Sequence, residues 1–323
     1  METSNENFPK FRIKPVAYSK FLNNYSLLQK IETTKRFIVE LTGFGIHLFC
    51  AKTLRVLRTA FSNRSLVTEL KIINERLIAT VTLLKEMQIL DILTLNRLSS
   101  KQMNERCKLA VREKDSKTQL FAIGMRKLYI YNISEDPKGI LLAERTIDFG
   151  NNQLLINHYF CFHGNKVFFA EEHRLRIFNL ESESWENISP NFEELAPGKE
   201  WYDFTEICVL EDQFIVYATY NGIISAFNIN SKQHELVIEQ SNEPGLVLVI
   251  CTTTLKNQGK NCMIALMSNE KWILISPNEQ HKLLPSFITP ELMYKTTHIA
   301  TGSNNIVIAG STSHLILLKI QRN

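Results

Sequence analysis

The sequence has no apolar run approaching the roughly 20 residues that a membrane-spanning helix needs. Its first 14 residues, Met1–Lys14, are polar and charged and lack the apolar core of a signal peptide, so neither a membrane nor a secretory route is expected. No two of its six cysteines (Cys50, Cys107, Cys161, Cys208, Cys251, Cys262) form a CxxC pair. That argues against a zinc ribbon and a thioredoxin-like site, and six reduced thiols are expected. Glycine is sparse, 12 residues in 323, and no Gly-Gly pair occurs. Gly43-Phe44-Gly45 opens a GxG but has neither a third glycine nor a following helix, so it reads as a hairpin turn rather than a nucleotide cradle. There is no P-loop and no G-x-S-x-G elbow. Helical periodicity is scarce as well: only Ser99–Val111 and Pro290–Lys295 look partly helical.

What is present is an ordinary globular composition, 44% hydrophobic and 22% charged. A chain of this length can bury about three quarters of its unfolded surface without a disulfide or metal staple. Collagen, extended disorder and a small disulfide-held fold are thereby excluded. The net charge of +4 is unevenly spread. Residues 1–120 hold 21 Lys/Arg against 11 Asp/Glu, and residues 121–323 hold 16 against 22. Such asymmetry suits an oriented surface for nucleic acid or an acidic partner, unless folding intermixes the two halves.

Short runs rich in Ile, Val, Phe, Tyr and Thr recur between polar turns, which is the signature of strands. Leu128-Tyr-Ile-Tyr-Asn-Ile133, Leu175-Arg-Ile-Phe-Asn-Leu180 and Ile224-Ser-Ala-Phe-Asn-Ile229 share one pattern: apolar, any, apolar, aromatic, Asn, apolar. Weaker copies occur at Met87–Ile92, Ile46–Ala51, Trp272–Ser276 and Leu315–Ile320. The fifth positions fall at 50, 91, 132, 179, 228, 276 and 319, in steps of 41 to 49 residues. Seven units of about 46 residues predict a seven-bladed β-propeller of four-stranded antiparallel blades, a single domain spanning 1–323. In the fifth unit the strands are expected at Phe204–Leu210, Gln213–Thr219, Gly222–Ile229 and His234–Ile238. The seventh unit lacks an outer strand, and the N-terminal segment at about 11–20 is expected to supply it and close the ring, removing an unpaired sheet edge.

The strand-c motif resembles that of WD-repeat β-propellers: Tyr131-Asn132, Phe178-Asn179, Phe227-Asn228 and Leu90-Asp91 stand where that family has Trp-Asp. The resemblance covers nearly the whole chain. No Trp-Asp or Gly-His pair is present, so the family's buried His/Asp/Ser-Thr/Trp network is not implied here. Ser182-Glu183-Ser184-Trp185 has a kelch-like look, but kelch blades also carry double glycines.

Residues that could carry chemistry are dispersed. His158, Cys161 and His163 form a small cluster, yet strand alternation sets 158 opposite 161 and 163, and zinc needs about four convergent ligands. The acidic pairs Glu171-Glu172, Glu193-Glu194 and Glu200 with Asp203 read as solvated turns. Trp201, Tyr202 and Phe204 follow a Pro-Gly turn and are either an aromatic anchor for a partner or the packed start of the fifth unit. The stretch 99–117 is expected to be a basic insertion. Its Lys101, Arg106, Lys108, Arg112, Lys114 and Lys117 either neutralise phosphates or form a solvated connector. No catalytic, metal or cofactor residue is expected, and no small-molecule substrate.

The expected role is a non-catalytic scaffold or adaptor in an intracellular multiprotein complex, in cytoplasm or nucleus, with one or more proteins as partners. The alternative is an RNA-associated accessory subunit, such as the non-catalytic partner of a tRNA-modifying methyltransferase, using the basic N-terminal half.

Overall fold

Alternation of small polar turns with six-residue apolar runs is realised as antiparallel meanders. The computed structural model describes residues 11–20, 28–43, 45–61, 66–114, 117–133, 143–154, 159–171, 174–188, 204–210, 213–219, 223–238, 249–257, 260–267, 272–276, 279–284, 296–301, 306–311 and 314–322. After β1 (Phe11–Lys20), sheet I contains β2 (Leu28–Thr33), β3 (Phe37–Thr42), β4 (Gly45–Cys50) and β5 (Val56–Phe61). Sheet II contains β6 (Val67–Ile72), β7 (Leu77–Thr82), β8 (Glu86–Asp91) and β9 (Arg97–Gln102). Sheet III contains β10 (Lys108–Lys114), β11 (Lys117–Ile123), β12 (Lys127–Asn132) and β13 (Ala143–Asp148). Sheet IV contains β14 (Tyr159–His163), β15 (Lys166–Glu171), β16 (Arg174–Asn179) and β17 (Ser184–Asn187). Sheet V contains β18 (Phe204–Leu210), β19 (Phe214–Thr219), β20 (Ile224–Asn228) and β21 (His234–Ile238). Sheet VI contains β22 (Val249–Asn257), β23 (Lys260–Met267), β24 (Trp272–Ser276) and β25 (Glu279–Leu284). In sheet VII, β26 (Thr296–Thr301), β27 (Ile306–Ser311) and β28 (His314–Arg322) are joined by β1, which pairs antiparallel with β28 from Phe11↔Arg322 to Lys20↔His314.

Calling the four strands of sheets I–VI a to d in order, the a–b and c–d turns leave at one end, here the lower, and the b–c turns and d-to-a connections at the upper. First strands of successive sheets lie against one another: β2 against β6 and β26, β6 against β10, β14 against β18, β18 against β22, and β22 against β26. Side chains interleave between sheets. Phe37, Val39, Leu41 and Leu48 of sheet I meet Leu70, Ile72, Ile78 and Leu90 of sheet II. Phe121, Ile123 and Leu128 of sheet III meet Val167, Phe169 and Phe178 of sheet IV. Removing such side chains from water, each worth about 1.5–3 kcal/mol, is what holds adjacent sheets together.

The repeat motif has a backbone cause. In the c–d turn of sheet II, Asp91 Oδ1 accepts from the amides of Leu93 and Thr94 at 3.0 and 2.8 Å. Asn179 accepts from Glu181 and Ser182, and Asn228 from Asn230 and Ser231, in the same way. Asn and Asp do this well because the short side chain reaches the amides two and three residues on. Four residues beyond the motif position, each turn holds a left-handed residue: Leu54 (φ 56), Leu95 (φ 55), Glu183 (φ 50) and Lys232 (φ 57). A side chain there costs about 1–2 kcal/mol relative to an unstrained residue, which glycine avoids. Lys232→Gly is therefore expected to raise stability by about 0.5–1 kcal/mol, after glycine's extra unfolded entropy is subtracted. Leu54→Gly and Leu95→Gly should instead lose about 2 kcal/mol or more, because those leucines are only 2% and 7% exposed. Thermal melts of the three variants check the opposite signs.

Cys50 occupies the motif position in sheet I. The Thr53 hydroxyl, and then the amides of Lys52 and Thr53, hold its thiol below the usual range, while burial pushes the Cys107 thiol up to about 12. At neutral pH, alkylation followed by peptide mapping should modify Cys50 at least about tenfold faster than Cys107; equal rates would show that the turn does not hold a thiolate.

The expected helix at Ser99–Val111 is corrected. These residues form the greater part of β9, a bend, and the start of β10. Glu105 fixes the bend, its carboxylate accepting from the amides of Arg126 and Lys127 at 3.1 and 3.0 Å. A Cβ on Gly124 would stand 2.3 Å from the Glu105 carboxyl carbon, so a larger residue there would displace this carboxylate from its amides. The stretch 99–117 is thus the seam between sheets II and III. The helix expected at Pro290–Lys295 lies outside the described residues.

Candidate interaction surfaces

The six basic residues do not form one surface. Lys101, Arg106 and Lys108 lie toward the upper end of sheets II and III, and Arg112, Lys114 and Lys117 toward the lower end. Lys108 and Lys114 bound one extended strand and are about 20 Å apart. Several already hold neighbours together. The Lys108 ammonium sits 4.5 Å from the Tyr159 ring centroid, and Lys101 5.4 Å from that of Tyr131. Arg112 donates to the Gly164 carbonyl at 2.6 Å and lies over Phe121 and Phe162. Lys114 donates to Asn165 Oδ1 at 2.9 Å. Lys108, Arg112 and Lys114 thus join sheet III to sheet IV and Lys101 joins sheet II to sheet III, while Arg106, Lys114 and Lys117 are exposed.

Phe204 is 3% exposed and packs edge-on against Tyr217, with ring centroids 5.6 Å apart. It belongs to the core between sheets IV and V, because the bulge between Phe204 and Glu206 shifts the alternation and brings it to the same face as Ile207. Trp201 and Tyr202 lie outside the described residues. Cys161 packs with the cluster between sheets IV and V, and His158 lies outside the described residues. Among the described residues, no group of three or more His, Cys, Asp or Glu could hold a metal ion.

Three polar constellations were not foreseen from the sequence. Glu171, expected to be solvated, is 1% exposed and accepts from Arg176 Nη1 at 2.8 Å. The same guanidinium lies 3.9 Å from the Trp185 ring centroid and donates to the Asn152 carbonyl at 3.4 Å. The signal was available: an arginine inside Leu175-Arg176-Ile177 needs an opposite charge, and Glu171 stands across the adjoining turn. Tyr217 and His234 form the second, with Tyr217 Oη 2.9 Å from His234 Nδ1 and His234 Nε2 2.7 Å from the Ile188 carbonyl. The carbonyl needs Nε2 to donate, and in the neutral ring Nδ1 then accepts from the tyrosine hydroxyl. Burial also pushes the His234 pKa down, against the opposing effect of the carbonyl bond. This staple links sheet V to the segment leaving sheet IV. The third is Glu40, a carboxyl 1% exposed on β3 whose Oε2 has no hydrogen-bond partner.

On the inner strands of sheets I and II, Lys71 donates to both Glu32 oxygens at 2.8 and 3.0 Å, and Lys30 pairs with Glu69. Charges there are mutually neutralised. Exposed large apolar residues also occur. Among the described residues, the exposed large ones are Val56, Leu57, Leu66, Leu83, Leu84, Leu93 and Leu98, all on sheets I and II or their connections.

Four-stranded antiparallel meanders packed face to face, first strand against first strand, define a β-propeller. The chain is WD40-like within that class. It superposes on the β-propeller domain of Cps50 (Swd1) from Myceliophteria thermophila with a TM-score of 0.66 and 11% identity, covering 94% of this chain and 98% of that one. The WD40 β-propeller domain of Doa1 gives 0.64 and 10%, covering 97% of each. No family model and no curated protein matches the sequence. Among the described residues no helix is long and apolar enough to cross a membrane.

Proposed function

We propose that the chain is a non-catalytic adaptor subunit of an intracellular multiprotein complex, in cytoplasm or nucleus. In this reading residues 1–323 form one seven-bladed ring, clasped by the pairing of β1 with β28. The observation that carries the reading is where side chains are committed. Buried charged and polar groups such as Arg176 with Glu171 and Tyr217 with His234 join neighbouring strands and sheets. Among the described residues, the exposed large apolar ones lie on two adjacent sheets or their connections. Internal polar staples make a rigid body, and an exposed apolar surface suits contact with another protein.

Affinity purification of the tagged chain, washed at low and high salt and followed by mass spectrometry and RNA recovery, tests it. Protein partners that survive high salt support the adaptor. RNA recovered at low salt and lost at high salt, together with a modifying enzyme, would replace it with the accessory-subunit reading. Recovery of no partner would sink both.

A further inference from the structure

The lower turns of sheets I and II form one continuous surface. Ala51, in the c–d turn of sheet I, donates its amide to the Arg36 carbonyl of the a–b turn at 2.9 Å. The neighbouring Lys35 amide donates to Glu75 Oε1 in the a–b turn of sheet II at 3.2 Å. Arg76 of that turn accepts from Ile92, in the c–d turn of sheet II, at 2.8 Å. Around these turns stand Val56, Leu57, Leu93 and Leu98, which are 48%, 45%, 52% and 37% exposed. Val56 and Leu57 open β5, and Leu98 is the second residue of β9, so all three lie at the lower end.

The exposed charge here is predominantly positive. Arg36, Lys52, Arg55, Arg58 and Arg76 are exposed. Glu75 is exposed as well, its carboxylate accepting from the Lys35 amide, and half-buried Asp91 accepts from the amides of Leu93 and Thr94. The corresponding turns of sheets IV and V lack this character. That of sheet IV reads Glu181-Ser182-Glu183, and that of sheet V Asn230-Ser231-Lys232, with no apolar residue where sheet II has Leu93.

We infer that this four-turn surface docks an acidic, leucine- or phenylalanine-bearing segment of a partner protein, its side chains covering Leu57 and Leu93 while its carboxylates meet Arg55 and Arg76. The inference rests on the adaptor reading and names the adaptor's partner chemistry. Apolar contact supplies affinity, and the surrounding cations select for acidic sequence and speed the encounter. Nucleic acid would use the arginines and leave the leucines idle.

The test uses the full chain and a fluorescein-labelled peptide of about 16 residues alternating glutamate pairs with leucine or phenylalanine. Saturable binding is expected, weakened at least about tenfold by Arg55→Glu with Arg76→Glu and, separately, by Leu57→Ser with Leu93→Ser. A peptide with serine in place of its apolar residues should bind as weakly. All four positions are exposed, so unchanged thermal melts separate lost docking from lost folding. No saturation by about 100 μM peptide would overturn the inference. So would displacement by single-stranded RNA with binding indifferent to the leucine changes, or self-association of the wild-type chain that the arginine changes abolish. Repeating the affinity purification with both double variants separates the two readings. Partners retained by all forms leave the adaptor standing without this surface, and no partner even for the wild type ends the adaptor itself.

Discussion

Replacing Glu171 by alanine is expected to cost about 3–5 kcal/mol of stability, among the largest losses a single substitution in this chain should produce. The glutamate side chain is fully buried and that of Arg176 is 7% exposed. Truncating the glutamate strands a guanidinium between Trp185 and the Asn152 carbonyl, where water cannot replace the missing carboxylate. Arg176→Met reverses the problem: Glu171 must stay charged without its partner or take up a proton. The double variant Glu171→Leu with Arg176→Met removes both charges and keeps the volume, so it should be less damaging than either single change. Urea denaturation followed by tryptophan fluorescence, with the midpoint compared at constant slope, measures all three. A loss below about 1 kcal/mol in Glu171→Ala would mean that the pair behaves as a surface ion pair.

That pair also marks the boundary of what the sequence reveals. The strand repeat was legible because the motif asparagine does a local job that any reader of turns can anticipate. Asn179 and Asn228 tie down their own turns, so the pattern survives in the sequence. Sheet V shows the accuracy this allows. Its first and last strands lie where expected, and its middle two are shorter by one residue and by three. The stretch from Ser99 misled for an equally local reason. Met103, Cys107 and Val111 recur every four residues and imitate a helical face. In the fold they reach the same inter-sheet cluster from a bend and a strand. Basic residues close in sequence are not thereby close in space: one strand carries them from the upper end to the lower. The surface of sheets I and II was invisible for the opposite reason. Leu57 and Leu93 are 36 residues apart, and only the packing of two meanders brings their turns together.

Glu40→Gln is expected to remove a dependence of stability on pH that the wild-type chain shows between about 4.5 and about 8. Val39 and Leu41 face sheet II, so alternation turns Glu40 to the opposite side of β3, where it stands across the ladder from His47. His47 is engaged with hydroxyls, Nδ1 3.1 Å from Thr59 Oγ1 and Nε2 3.5 Å from Thr42 Oγ1. Burial pushes the His47 pKa down, so the ring tends to stay neutral beside the carboxyl. Burial raises the Glu40 pKa from 4.5 to about 8. The folded chain therefore keeps a proton that the unfolded chain releases. Its stabilising effect is complete below about 4.5 and is lost as pH rises through about 8. At about 1.4 kcal/mol per pH unit, the loss across that interval approaches about 5 kcal/mol as an outer bound. Glutamine keeps the shape and cannot ionise, so the variant should match the wild type near pH 4.5 and exceed it by several kcal/mol above pH 8. Other groups titrate in both proteins, so the difference between their urea midpoints at each pH isolates residue 40. Parallel profiles would show that Glu40 ionises freely and that the interior of sheet I admits water to its carboxylate.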